Sequence, residues 1–193
     1  MSFVSIVAGL DWVSIVSDDH LIEGADKITV GSKANFFQIS EAHLIACTGS
    51  ARLYNQLKKG YPFQKHSIAI NDEMLESIQA KIDRIPGTEQ DRLVTVIELI
   101  RPVRCWLLSN QPNGQRREVT GNAQRLATLF MGSRAIDLPS MKRLVAQFNH
   151  QLDGVEKTPD SIYSAQKWLL NSAAQFDQTI GKKLFHARLI CRH

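Results

Sequence analysis

Ser2-Phe3-Val4-Ser5-Ile6-Val7-Ala8-Gly9-Leu10-Asp11-Trp12-Val13-Ser14-Ile15-Val16-Ser17-Asp18 holds two β-branched runs joined by Leu10-Asp11 beside Gly9. Such a pattern predicts a tight antiparallel hairpin of Phe3 to Gly9 and Trp12 to Ser17. Side chains alternate across a strand, so Phe3, Ser5 and Val7 share one face and Val4, Ile6 and Ala8 the other. Both faces are largely apolar. An antiparallel pair ordinarily leaves one face to water, so two apolar faces predict a sheet covered on both sides, an inner layer of the fold.

Further strands are expected at Lys27–Val30, Asn35–Ile39 and His43–Thr48. Ser50 then caps a helical pattern carrying Leu53, Tyr54 and Leu57, with Gly60 as its stop. Asn71 opens a second helix with Leu75, Ile78 and Ile82 on one face, ended by Pro86-Gly87. Strands return at Leu93–Ile100, Val103–Leu108, Arg116–Thr120 after a Pro112-Asn113-Gly114 turn, and Leu126–Met131. One helix is marked by Met141, Leu144, Val145 and Phe148. Thr158-Pro159 opens another, carrying Ile162, Ala165, Leu169, Ala173 and Phe176, before a last strand over Leu184–Cys191. Helices that arrive in two pairs can cover the outer faces of two stacked antiparallel sheets. The expectation is an α+β protein, a four-layer α/β/β/α sandwich, with residues 1–193 forming a single domain.

The chain has 193 residues, 44% hydrophobic and 22% charged, which is enough for one enzyme-sized core and excludes disordered or collagenous classes. No uncharged apolar stretch approaches the ~20 residues of a spanning helix. The amino terminus lacks a basic region, and Asp11 interrupts its hydrophobic run, so a secretory signal is not indicated and the cytoplasm is the expected compartment. The three cysteines, Cys47, Cys105 and Cys191, are odd in number, far apart and set in apolar runs, which predicts buried thiols rather than disulfides or a zinc cluster. A net charge of +4 arises from dispersed basic pairs, not a stripe, so nucleic-acid binding is not expected. Nucleotide-binding glycine loops, the Gly-x-Ser-x-Gly elbow and zinc-protease motifs are missing, and Asp18-Asp19-His20 is better explained by a strand exit than by metal. No cofactor and no metal are expected.

The residue with chemical promise is Ser2. Methionine ahead of so small a residue is commonly removed. The mature chain would then begin with a serine whose hydroxyl and α-amino group act as nucleophile and base. An α-amine with an ordinary pKa of about 7.7–8.0 can take the hydroxyl proton near neutrality.

At this point the chain resembles the proteasome β-subunit family, including the bacterial peptidase of the ATP-dependent two-component protease, within the N-terminal nucleophile hydrolases. Ser2-Phe3-Val4-Ser5-Ile6-Val7 opens the hairpin, and Val13-Ser14-Ile15-Val16-Ser17-Asp18 closes it on an aspartate at the matching spacing. Lys33-Ala34-Asn35-Phe36-Phe37-Gln38-Ile39 is similar to the family's lysine strand. Leu44-Ile45-Ala46-Cys47-Thr48-Gly49-Ser50 is similar to its strand into the turn before the first long helix. Leu129-Phe130-Met131-Gly132-Ser133 and Asp177-Gln178-Thr179-Ile180-Gly181 follow in order. The resemblance implies Ser2 as nucleophile, Asp18 as acidic partner of a site lysine, Gly49 as oxyanion donor, and Ser133 and Asp177 as supports of the α-amino group. It further implies cleavage of peptide bonds in a peptide or protein substrate by a homo-oligomeric ring or stacked rings, served by an ATP-driven unfoldase.

The chain departs from the pattern in three places. Asn35 stands at the lysine position, with Lys33 two residues earlier. If both lie in a strand, they share a face, which brings the long Lys33 side chain within reach of the site. Ile180 replaces a serine, and Arg134 a glycine. A catalytically inactive structural or binding subunit is therefore the alternative to an active N-terminal-serine hydrolase.

Overall fold

The computed structural model describes residues 2–23, 27–30, 33–66, 68–84, 93–110, 116–132 and 135–191. Strands β1 (Val4–Ala8) and β2 (Trp12–Ser17) form the expected hairpin. Val4 lies opposite Ser17 and Ala8 opposite Val13, and the Gly9 N–H donates to the Trp12 carbonyl at 2.9 Å. A separate small hairpin follows, β3 (His20–Glu23) with β4 (Lys27–Val30). β3 is a strand that the apolar pattern does not announce, since two of its four residues are polar. The chain continues through β5 (Phe36–Gln38), β6 (His43–Cys47), α1 (Ala51–Gly60), α2 (Asp72–Asp83), β7 (Leu93–Glu98), β8 (Arg104–Ser109), β9 (Arg117–Thr120), β10 (Ala127–Met131), α3 (Leu138–Gln151), α4 (Pro159–Phe176) and β11 (Phe185–Ile190).

Two antiparallel sheets result, ordered β10-β1-β2-β11 and β5-β6-β7-β8-β9. Side-chain alternation sorts their residues into three apolar layers. Val4, Ile6, Ala8, Val13 and Ile15 from the first sheet meet Leu44, Ala46, Ile97 and Cys105 from the second, filling the space between sheets. The next residues along the same strands face outward: Ile45, Cys47, Val94, Val96 and Trp106 pack under Leu53 and Leu57 of α1 and Ile78 and Ile82 of α2. Phe3, Val7 and Val16 pack under Phe148 of α3 and Ile162, Leu169 and Ala173 of α4. The apolar hairpin is thus an inner layer of an α/β/β/α sandwich, as its two apolar faces require.

The helices begin where capping chemistry puts them, with side chains of Ser50, Asn71, Asp137 and Thr158 each accepting an N–H of the first turn. Gly60, expected as the stop of the first helix, is its last residue, and the N–H of Tyr61 closes the turn on Leu57. Pro86-Gly87 and Pro112-Asn113-Gly114 lie outside the described residues. Two serines in the apolar hairpin have a specific partner. Gln166 of α4 is fully buried, and its Nε2 donates to Ser5 O, Ser5 Oγ and Ser14 O at 3.0–3.1 Å. Its Oε1 accepts from Ser14 Oγ at 2.6 Å. Polar atoms on three elements therefore satisfy one another inside an otherwise apolar layer. All three cysteines are buried and outside any disulfide. Among the described residues no helix is long and apolar enough to cross a membrane.

Candidate active site

Ser2 lies two residues ahead of β1 and is 1% exposed. Its position is set by Phe3, whose ring is buried under α3 and α4 and whose backbone extends the β1–β2 ladder by one pair. The Asp18 N–H donates to the Phe3 carbonyl at 3.2 Å, and the Phe3 N–H donates to Asp18 Oδ1 at 2.9 Å. Anchoring on both sides of the Phe3 backbone holds Ser2 in a way that a frayed terminus would not permit.

From the second sheet, β6 delivers Gly49. This residue has φ 86°, the left-handed region that glycine enters without the Cβ penalty. The sharp turn lets Ser50 cap α1 while the Gly49 N–H points back and donates to Ser2 Oγ at 2.9 Å. Two sheets thus meet at one hydroxyl.

Asp18 is buried beside them. Its Oδ1 accepts from Phe3 N and from Asn35 Nδ2 at 2.9 Å, and its Oδ2 accepts from Gly181 N at 2.8 Å. Burial pushes its pKa from 3.8 up to about 7, against the opposing pull of the Gly181 and Phe3 N–H groups and of the His20 charge. The physical reason is that amide donors stabilise a carboxylate less than desolvation penalises it.

The expected lysine is not part of this cluster. Lys33 is exposed, and Asn35 is fully buried against Asp18. Strand periodicity fails here because β5 starts at Phe36, so residues 33–35 are not strand and need not share a face. Ser133 lies outside the described residues. Asp177 ends α4 and shapes the following loop, its Oδ1 accepting from the Thr179 N–H at 2.9 Å and the Thr179 hydroxyl at 2.6 Å. The Thr179 carbonyl accepts from His20 Nδ1 at 2.7 Å, and two residues later the loop presents Gly181 to Asp18. Ile180 is a core residue under α4.

Sequence reasoning missed Asn35 and Gly181 as members of the site. For Asn35 a signal existed, a carboxamide directly ahead of the apolar run Phe36-Phe37, where burial demands partners. At Gly181 a Cβ would run into the Asp19 carboxylate and the His20 ring. Gly181→Ala is therefore expected to draw the loop N–H away from Asp18. The expected result is a loss of about 1–3 kcal/mol in stability and a roughly 100-fold slower reaction of Ser2 with a hydroxyl-directed electrophile, read by thermal unfolding and by timed mass spectrometry. An unchanged labelling rate would show that the Gly181 contact is dispensable.

No family model and no curated protein matches the sequence. Solved structures do match. Anbu (ancestral beta-subunit) from Yersinia bercovieri superposes with a TM-score of 0.64 at 13% identity, over 97% of this chain and 81% of that one. BPH of Thiobacillus denitrificans, solved in complex with epoxomicin, gives 0.64 at 12% identity, over 99% and 100%. Eukaryotic HslV from Trypanosoma brucei gives 0.60 at 12% identity, over 98% and 99%.

Proposed function

We propose, on the premise that this chain has the proteasome β-subunit-like fold of the N-terminal nucleophile hydrolases, that it is an N-terminal-serine hydrolase of peptide bonds. The observation that carries the proposal is the 2.9 Å hydrogen bond from the Gly49 N–H to Ser2 Oγ, at a buried residue preceding the central hairpin. With Met1 removed, the Ser2 hydroxyl gives its proton to its own α-amine while Oγ bonds to the substrate carbonyl carbon. The Gly49 N–H, already directed at Oγ, meets the negative charge that develops there and on the adjoining carbonyl oxygen. Collapse breaks the C–N bond, and the leaving amine takes the proton from the α-ammonium. Water, deprotonated by the same amine, then hydrolyses the Ser2 ester and frees the enzyme.

The same reading extends to a homo-oligomeric ring that confines the substrate and to an ATP-driven unfoldase that feeds it, partners in keeping with the fold. It places the protein in the cytoplasm. In it, Lys33 has no part in the chemistry, Asp18 orients the terminus, and Asp177 and Ser133 act as supports of the amine. The alternative, a structural subunit without turnover, is favoured by Asn35 standing in the site in place of a cation.

An electrophile directed at N-terminal hydroxyls, followed by peptide mapping and intact mass, tests the choice. The hydrolase requires loss of Met1 and an adduct on Ser2. A chain that keeps Met1, or that takes no adduct there, is the structural subunit.

A further inference from the structure

Asn35 is held from every side but one. Its N–H donates to Ser17 Oγ at 3.1 Å, and its carbonyl accepts from the Cys47 N–H at 2.9 Å. The side-chain amide is oriented by three acceptors around Nδ2: Asp18 Oδ1 at 2.9 Å and the carbonyls of Asp18 and His20 at 3.0 Å. An amide oxygen could bond to none of these, so the orientation is fixed, and Oδ1 is turned away from them. That Oδ1 is buried and has no donor among the described residues. Buried carbonyl oxygens are nearly always partnered, and one without a donor marks a place where a donor belongs.

The location narrows which donor. Asn35 Nδ2 and the Phe3 N–H share one oxygen of Asp18, so the amide lies beside the peptide that joins Ser2 to Phe3. The charged groups of this region are Asp18, Asp19 and His20 at the exit of β2 and Asp177 on the loop that carries Gly181, while Lys33 and the Lys182-Lys183 pair that follows Gly181 are exposed. Among the described residues, the groups that donate to the Asp18 carboxylate are all amides. A buried carboxylate and a buried amide oxygen at the residue next to Ser2 together suit a cation with several N–H groups.

We infer that Asn35 is a positioning residue for the nucleophile: in the mature chain the α-ammonium of Ser2 donates to Asn35 Oδ1, and Asn35 links that amine to Asp18. The inference rests on the N-terminal-serine reading. It assigns the site a cation drawn from the chain's own terminus and a neutral amide to hold it. An amine held by an amide oxygen beside a carboxylate keeps its proton more tightly. Ser2 therefore becomes a working base at a higher pH than an ordinary α-amine, and only while Asn35 is present.

The test uses the mature protein and the variant Asn35→Leu, which keeps the branched side-chain skeleton without its polar atoms, with Asn35→Asp retaining an acceptor oxygen. The Ser2 amine is titrated by competitive acetylation with trace acetic anhydride across pH, with mass-spectrometric mapping, and the electrophile rate at Ser2 is measured alongside. Asn35→Leu is expected to lower the titration midpoint by about half a pH unit or more and to slow the adduct at least about tenfold. Asn35→Asp, which puts a charged oxygen where the amide oxygen stood, is expected to raise the midpoint above that of the parent. Because either variant decides the question, failure of one to fold leaves the other. A parent that labels at Ser2 while the folded variants share its midpoint, differing only in thermal stability, overturns the inference and leaves the hydrolase reading standing. A parent that retains Met1 overturns both.

Discussion

Replacing Ser2 by alanine is expected to remove amide hydrolysis by at least about 10³-fold while leaving the protein folded. Among the described residues the Ser2 hydroxyl makes one hydrogen bond, from the Gly49 N–H. Losing a single hydrogen-bond acceptor costs about 1 kcal/mol, or about 2–4 °C of melting temperature in a chain of this size. The fold around it rests on other contacts, chiefly the buried Phe3 ring and the Phe3–Asp18 backbone pair. Loss of activity with a near-parental melting curve is thus the signature of a nucleophile. Turnover of a chromogenic peptide amide and a melting scan of the same sample are sufficient. Hydrolysis that survives in Ser2→Ala would place the chemistry elsewhere.

The second large effect is on stability against pH. Asp18 titrates near 7 in the folded chain against 3.8 for the free group. Its folded-state pKa is raised, so the folded form holds a proton that the unfolded chain releases above about pH 4. The contribution is fully present below pH 4 and is lost as pH rises to about 7. The limit is on the order of 4 kcal/mol, from three pH units at 1.36 kcal/mol each. Asp18→Asn cannot titrate and abolishes this slope, although its NH₂ group meets one of the three donors that Asp18 accepts, which lowers its stability throughout. The gap between parent and variant is therefore expected to be widest at pH 4–5 and to close by pH 8, as measured by urea midpoints. Other ionising groups contribute equally to both proteins and cancel in the comparison. The chain that retains Met1 is the one to use, because a Ser2 ammonium beside Asp18 would pull its titration back down. Parallel pH profiles would show that Asp18 stays ionised throughout.

Much of this was legible in the chain before its coordinates. Two apolar faces on Phe3–Ala8 required an inner sheet, and the sandwich supplies a helical layer behind it and a second sheet in front. The caps at Ser50, Asn71 and Thr158 were readable because side-chain capping is local chemistry. The meeting of Ser2 with Gly49 followed only from resemblance, since 47 residues separate them and no local rule spans that distance. Lys33 misled because strand period was applied to a segment that is not strand; β5 begins at Phe36 and turns Asn35, not Lys33, into the interior. Gly181 has no role legible in the sequence because its contribution is a backbone N–H and an absent Cβ, neither of which a side-chain alphabet displays.

Gln166 has one more consequence. By gripping Ser5 and Ser14 it stops α4 from sliding lengthwise over the hairpin. Ten residues farther along, at 1.5 Å each, the helix ends at Phe176 and hands over to the loop that reaches Asp18. Between the glutamine and that loop therefore lies a rigid rod of about 15 Å with a clamp at one end. Loosening that clamp would detune the chemistry at a point the glutamine never touches.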